Sequence, residues 1–275
     1  MQAVMQTLTT PKSTALPFTE SFAFQHNELI EFDAASFQAW VDEMLPQAAN
    51  LKPCTGDNPD VSGGTVELGN FKLMRRTLPK TFMQTHSSLG GFFPSRLKKP
   101  IERRSTLKIY QGAKAGQVQF SDDVHIPVLA QPQGDRWKVW MSLTPMEIAT
   151  CRGGVRKAFG RVLLGGLGLG WMAQRIAERK QVERVTIVES NLDVLQFFGQ
   201  PLVEKFGANR VQLVHADVWK YIADRNYDCY DSYIMDVWSS YGQAEYYPPF
   251  CDLKAECQKA GKRVWGWGDV KHLPE

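Results

Sequence analysis

The sequence predicts an α/β fold: an open, mostly parallel sheet of Rossmann-like type, ordered 3-2-1-4-5, preceded by a β-rich N-terminal region. Three observations carry that prediction. Residues Arg161 to Glu189 (RVLLGGLGLGWMAQRIAERKQVERVTIVE) read as strand, glycine turn, helix and strand. Three short apolar runs end on acids, at Glu189, Asp217 and Asp236. Between Thr65 and Met141, short alternating runs are separated by Gly, Asp and Gln clusters, the pattern of hairpins.

Composition bounds the rest. A chain of 275 residues accommodates one large domain or two modest ones, and 43% hydrophobic with 22% charged residues is ordinary for a globular protein. The net charge of +3 singles out no partner. Five cysteines, none in a CxxC pair, indicate neither a disulfide framework nor a zinc site and fit a reducing, cytoplasmic setting. The five histidines show no HxH, HxxxH or HExxH spacing, so no metal site is expected. No apolar run approaches the length of a membrane span, and the N-terminus lacks the apolar core of a signal peptide.

Residues 1–20, rich in Thr, Pro, Ser and Gln, predict an irregular arm, followed by a β-rich substrate or partner region over 21–141 and the sheet domain over 142–275. One helix is expected between Phe32 and Leu45, capped by Asp33 or Ser36, with Phe37, Trp40, Val41 and Leu45 on one face. Residues 50–64 read as a loop. Strands are expected at Thr65–Leu68, Lys72–Arg76, Ser105–Gln111, Gln117–Phe120, Ile126–Ala130 and Trp137–Met141. Segment 66–114 holds eleven Lys or Arg against two acids, a local balance of +9. A nucleic-acid or other anionic partner would use such a segment. A solvated basic face is the preferred account, because no aromatic platform is interleaved with it. Phe92 and Phe93 read as loop residues beside Gly90 and Gly91.

Thr144, Pro145 and Glu147 resemble a capping box opening a helix that runs through Cys151. Glu147 therefore has two readings, a helix cap or a carboxylate facing the pocket before the glycine turn. Val162–Leu164 is the first buried strand. Gly165, Gly166, Gly168 and Gly170 then let the chain turn and let backbone approach a ligand. Trp171 to Glu178 is a helix, and Val185, Ile187 and Val188 give a strand whose terminal Glu189 is placed to bind ribose hydroxyls. Ser190-Asn191 caps a helix from Leu192 to Phe206, kinked by Pro201 and closed by Gly207. Arg210–Val214 is the third strand. Asp217 after it can accept from an adenine amino group, or cap the helix Val218–Asp224, or do both. Tyr230–Met235 is the fourth strand, and its terminal Asp236 is the acid best placed for substrate contact, with Trp238 and Tyr241 as candidate walls around a flat or cationic group. Tyr247-Pro248-Pro249-Phe250 reads as a loop turn, Phe250 to Ala260 as a helix, and Arg263–Trp267 as a fifth strand, without a closing hairpin.

TPMEI, VLLGGLGLGW, VTIVES, VHADVW and YDSYIMDVWSS, in this order, resemble the class I S-adenosylmethionine-dependent methyltransferase fold, and within it the spermidine-synthase-like branch. The resemblance covers roughly residues 140–245. It implies S-adenosylmethionine held by Gly166, Gly168 and Gly170, its ribose by Glu189 and its adenine near Asp217 and Val218. It also implies Asp236 as the catalytic carboxylate, with Glu147, Trp238 and Tyr241 toward the acceptor. Aminopropyltransferases carry a second acid where this chain has Ser239, and many methyltransferases carry an acid where it has Leu164.

The expectation is a transferase, foremost a methyltransferase, acting on a small-molecule acceptor that the sequence does not identify. An aminopropyltransferase using decarboxylated S-adenosylmethionine, a nicotinamide-dependent dehydrogenase and a non-catalytic nucleotide-binding or interaction protein are the alternatives. Oligomeric state is left open.

Overall fold

The computed structural model describes residues 15–22, 28–54, 64–81, 84–87, 92–94, 115–134, 136–224, 229–238, 244 and 247–269. The expected strand at Ser105–Gln111, Tyr241 and most of the basic segment beyond Lys80 lie outside these residues.

The N-terminal region opens with β1 (Glu28–Phe32), then α1 (Ala34–Met44) and the short α2 (Pro46–Ala49). Asp33 caps α1, its carboxylate accepting from the Ser36 N–H at 2.7 Å. Pro46 does separate two helices, because it fits a first helical turn and cannot sit in the interior of one. β2 (Pro53–Cys54), β3 (Val66–Leu68), β4 (Phe71–Leu78), β5 (Gln84–Ser87), β6 (Phe92–Pro94), β7 (Ala115–Phe120), β8 (Val124–Gln133) and β9 (Arg136–Ser142) follow. They form two sheets, β1-β7-β5-β6 and β2-β4-β8-β9, with β3 paired to β4. Phe92 and Phe93 thus stand in a strand and not in a loop: antiparallel pairing with β5 recruits them, a long-range contact that local composition does not reveal. The β3–β4 hairpin closes over Gly69 and Asn70, and Gly69 takes φ +62°, as a two-residue hairpin requires.

The arm expected over residues 1–20 is anchored at its described end. Leu16 bridges to Phe32, and Phe18 packs against Phe32, Phe37 and Trp40. The basic segment is partly internal: Arg75 is buried, donating to Asp42 at 2.6 Å and to the carbonyl of Ala49.

The second half is a doubly wound sheet. It comprises α3 (Pro145–Lys157), β10 (Gly160–Gly165), α4 (Trp171–Ala177), β11 (Val182–Glu189), α5 (Leu192–Val194), a π-helical turn (Leu195–Gly199) and α6 (Gln200–Phe206). β12 (Val211–His215), α7 (Val218–Ala223), β13 (Ser232–Met235), α8 (Pro248–Lys259) and β14 (Arg263–Gly266) complete it. The strands are all parallel and ordered β12-β11-β10-β13-β14, which is 3-2-1-4-5.

Strand residues alternate between two apolar cores: Val162, Leu164, Val185, Ile187 and Ile234 face one, Leu163, Val188, Tyr233 and Met235 the other. The three central strands, β10, β11 and β13, are buried on both sides over their carboxyl halves, which is why they read as continuous apolar runs. The first core continues into Phe32, Phe37, Leu73 and Val128 of the N-terminal region.

Three helices differ from expectation. α3 runs six residues past Cys151, because Gly153 and Gly154 are packing glycines: an added Cβ would lie 2.8 and 2.7 Å from the Trp265 ring. The kink expected at Pro201 is a π-helical turn just upstream. Proline offers no N–H to the preceding turn, and the ladder widens there. Pro248 and Pro249 begin α8 and do not form a loop turn; first-turn amides lack intrahelical acceptors anyway, so two prolines cost nothing there.

Candidate functional site

The carboxyl ends of β10, β11, β12 and β13 lie on one edge, and the glycine turn crosses it. Gly166 has φ +86°, and a Cβ there would collide with the carbonyl oxygen of Asp236. Gly168 has φ +54°, and its missing Cβ leaves room for the Met141 sulfur. Gly170, at φ +83°, turns the chain into α4. Four of the turn's amides are engaged within the protein. Gly166 donates to Val188 O (2.9 Å), Leu167 to Glu189 Oε2 (2.9 Å), Leu169 to Met141 Sδ (3.2 Å) and Gly170 to Leu167 O (3.0 Å).

The acids at the strand ends also serve the fold. Glu189 accepts from Leu167 on one oxygen and from the Asn191 N–H (2.9 Å) and Ser190 hydroxyl (3.3 Å) on the other. Asp217 caps α7, accepting from Trp219 and Lys220 at 2.9 and 3.0 Å. A carboxylate has about four lone-pair sites, so both retain capacity for a ligand.

A cleft of about 330 Å³ lies over this edge. Gly166, Gly168, Glu189, Asp217, Val218 and Asp236 line it; of the residues expected around the cofactor, Gly170 does not, its role being the turn itself. The opposite wall comes from the N-terminal region: Phe71, Leu129, Trp140 and Met141. Sequence reasoning missed these four. They stand in β4, β8 and β9 without any motif, and only the packing of the hairpins against the sheet brings them here. Asn191 fixes that approach, donating from its side-chain nitrogen to Leu68 O and Asn70 Oδ1, both at 3.0 Å. Trp219 and Tyr247 form the far wall. Trp238 stands behind them, 6.2 Å from Trp219 and 5.1 Å from Phe250 between ring centroids. Among the described residues no Lys or Arg lines the cleft.

Beneath the cleft lies a smaller cavity of about 20 Å³, which shares Met141, Gly166 and Asp236 with it. Glu147 reaches this inner cavity. The capping box is half formed: Thr144 Oγ1 accepts from the Glu147 N–H at 3.3 Å, but the Glu147 carboxylate accepts instead from Ser142 N–H (3.0 Å) and Ser142 Oγ–H (2.7 Å). Ser142 thereby turns the carboxylate toward Asp236.

Both carboxyls are closely surrounded by protein, though each residue keeps part of its surface exposed. Burial raises Asp236 to about 7. Burial also raises Glu147 to about 8; proximity to Asp236 adds to the rise, and the Ser142 hydrogen bonds oppose it. The repulsion falls on Glu147 because Asp236 ionises first. Near neutrality the pair therefore holds between one and two protons. Burial, Asp236 and Glu147 together push the Cys151 thiol well above its ordinary range, so it is no thiolate nucleophile. Among the described residues no cluster of His, Cys, Asp and Glu could hold a metal ion, and no helix is long and apolar enough to cross a membrane.

No protein-family model matches this chain, and no curated protein matches it. Solved structures do. Precorrin 8w decarboxylase of Methanobacterium thermoautotrophicum is 18% identical over 43% of this chain and 60% of its own, with a TM-score of 0.33. A putative caffeoyl-CoA O-methyltransferase of Staphylococcus aureus is 17% identical over 39% and 49%, with a TM-score of 0.30. Spermidine synthase of Thermotoga maritima is 18% identical over 47% and 48%, with a TM-score of 0.31. The chain thus spans about half to three fifths of the length of these proteins, and each match covers less than half of this chain.

Proposed function

We propose that this protein is an S-adenosylmethionine-dependent transferase, foremost a methyltransferase. The observation that carries this reading is the charge of the cleft: Glu189, Asp217 and Asp236 line it, and among the described residues no Lys or Arg does. Such a lining favours a cationic nucleoside over a pyrophosphate. Glu189 has lone pairs left for ribose hydroxyls, and Trp219 and Tyr247 offer flat surfaces for a base. The volume of about 330 Å³ lies in the range of small-molecule sites.

When bound, S-adenosylmethionine supplies an alkyl group on a sulfonium, a centre already activated for displacement. The chain's own residues then have three tasks: to align the acceptor, exclude water and take one proton. Asp236 is the base in this scheme. Its affinity for protons, balanced near neutrality, lets it accept one without holding a full charge in the resting site. Glu147, ionising above Asp236, stays neutral beside it and can donate a hydrogen bond.

Calorimetric titration tests the reading. S-adenosylhomocysteine and S-adenosylmethionine are expected to bind, NAD not to bind, and Glu189→Ala to abolish binding. A preference for the decarboxylated cofactor would move the assignment to aminopropyl transfer. Binding of NAD alone, or of none of these, would overturn it.

A further inference from the structure

Resting on that transferase reading, we infer that the inner cavity receives an oxygen nucleophile, so that the acceptor is an alcohol or phenol and not an amine. The argument starts from Trp171. It is 8% exposed and lines the inner cavity together with Glu147 and Asp236. Its indole Nε1–H is buried and has no hydrogen-bond partner among the described residues. A buried donor without an acceptor costs about 1–3 kcal/mol, and native folds keep such groups where something else satisfies them. The rest of the lining offers mostly apolar neighbours, Leu143, Ile148, Leu167, Leu169 and Met172. A space of about 20 Å³ admits one oxygen-sized group and little more.

The inventory of donors and lone pairs then selects the element. A neutral amine that attacks carbon spends its only lone pair on the new bond and brings only N–H donors, so the Trp171 N–H would gain nothing and face like dipoles. A hydroxyl has two lone pairs and one proton. One lone pair accepts from Trp171 Nε1–H, the proton goes to Asp236, and the second lone pair forms the bond. In that transfer the oxygen–carbon bond forms as the donor's carbon–sulfur bond breaks, the hydroxyl proton ends on Asp236, and the sulfonium's charge is discharged to a neutral thioether.

The test uses the full chain, saturated with S-adenosylhomocysteine, and two isosteric probes, phenol and aniline, both neutral near pH 8. The readout is the indole N–H resonance of Trp171 in a nitrogen–proton correlation spectrum, assigned by its loss in Trp171→Phe. Phenol is expected to move this resonance downfield beyond any of the other seven tryptophans, and aniline, whose single lone pair is delocalised into the ring and accepts weakly, to move it much less. Trp171→Phe should weaken phenol binding about fivefold, the equivalent of one hydrogen bond, and leave S-adenosylhomocysteine affinity unchanged, since Trp171 does not line the outer cleft. An equal or larger response to aniline, or no response to phenol, would overturn the inference while S-adenosylhomocysteine binding upholds the transferase reading. Failure of S-adenosylhomocysteine to bind would overturn both.

Discussion

Replacing Glu147 by Gln removes a charge while preserving shape. Ser142 donates to Glu147 Oε2 from both N–H and Oγ–H, and a glutamine amide oxygen can accept the same pair. In the folded protein Glu147 ionises at about 8 instead of the ordinary 4.5, and Asp236 at about 7 instead of 3.8. Between these limits the native state holds protons that the unfolded chain has released, so stability falls as pH rises. The stabilising contribution is complete below about pH 4 and is lost as pH passes the folded values near 7 and 8. Each tenfold change in proton affinity is worth about 1.4 kcal/mol, which sets a ceiling of about 5 kcal/mol on the cost of ionising Glu147. Glu147 keeps part of its surface exposed and solvent there screens that cost, so we expect about 1–2 kcal/mol to be realised. Urea unfolding at about pH 5 and about pH 9 reads it out. Glu147→Gln should match the wild type at the lower pH and exceed it by about 1–2 kcal/mol at the higher. A variant less stable at both, or one that loses as much stability as the wild type between the two, would refute the view that Glu147 is ionised against its surroundings.

Gly166→Ala should cost roughly 2–4 kcal/mol, from a left-handed backbone and a clash with the Asp236 carbonyl. Gly261→Ala is the control: φ is +66° but nothing lies within 4 Å of the added Cβ, so only about 1–2 kcal/mol of strain is expected. Equal thermal shifts in the two would show that the contact with Asp236 is not what demands glycine. A double-mutant cycle on Glu20 and Arg175, joined by hydrogen bonds of 2.5 to 3.0 Å between side chains each 23% exposed, should give a coupling of about 1–3 kcal/mol. A coupling near zero would mean that the N-terminal segment is held by its aromatic contacts alone. Once an acceptor is in hand, the turnover rate should rise as pH passes about 7, where Asp236 ionises, and Asp236→Asn should flatten that rise. A rise that persists in Asp236→Asn would assign it to another group.

The glycine-and-acid side of the cleft was legible in the sequence because it is local. Gly166, Gly168, Glu189, Asp217 and Asp236 each sit at the end of an apolar run, and parallel strands place all such ends on one edge. Glu147 had two local readings, and its backbone alone could not choose between them. The choice came from Ser142, which draws the carboxylate away from the N-cap and toward Asp236. Trp171 read as an ordinary apolar helix residue, since a missing hydrogen-bond partner is a property of surroundings. Trp238, singled out as a wall, instead supports Trp219 and Tyr247, because α8 begins at Pro248 and carries Phe250 against it.

The sequence by itself determined the parallel sheet, its strand order and the acids at its carboxyl edge. Those follow from periodicity, glycine placement and the handedness of strand–helix–strand units, each unit encoded within some thirty residues of chain. Only the tertiary structure decided which N-terminal residues close the cleft, that Met141 packs into the space left by Gly168, and that Glu147, Asp236 and the unpartnered indole of Trp171 share one cavity. Such contacts join segments far apart in the chain. They depend on side-chain volume and hydrogen-bond geometry across a continuous core, and no local pattern records them.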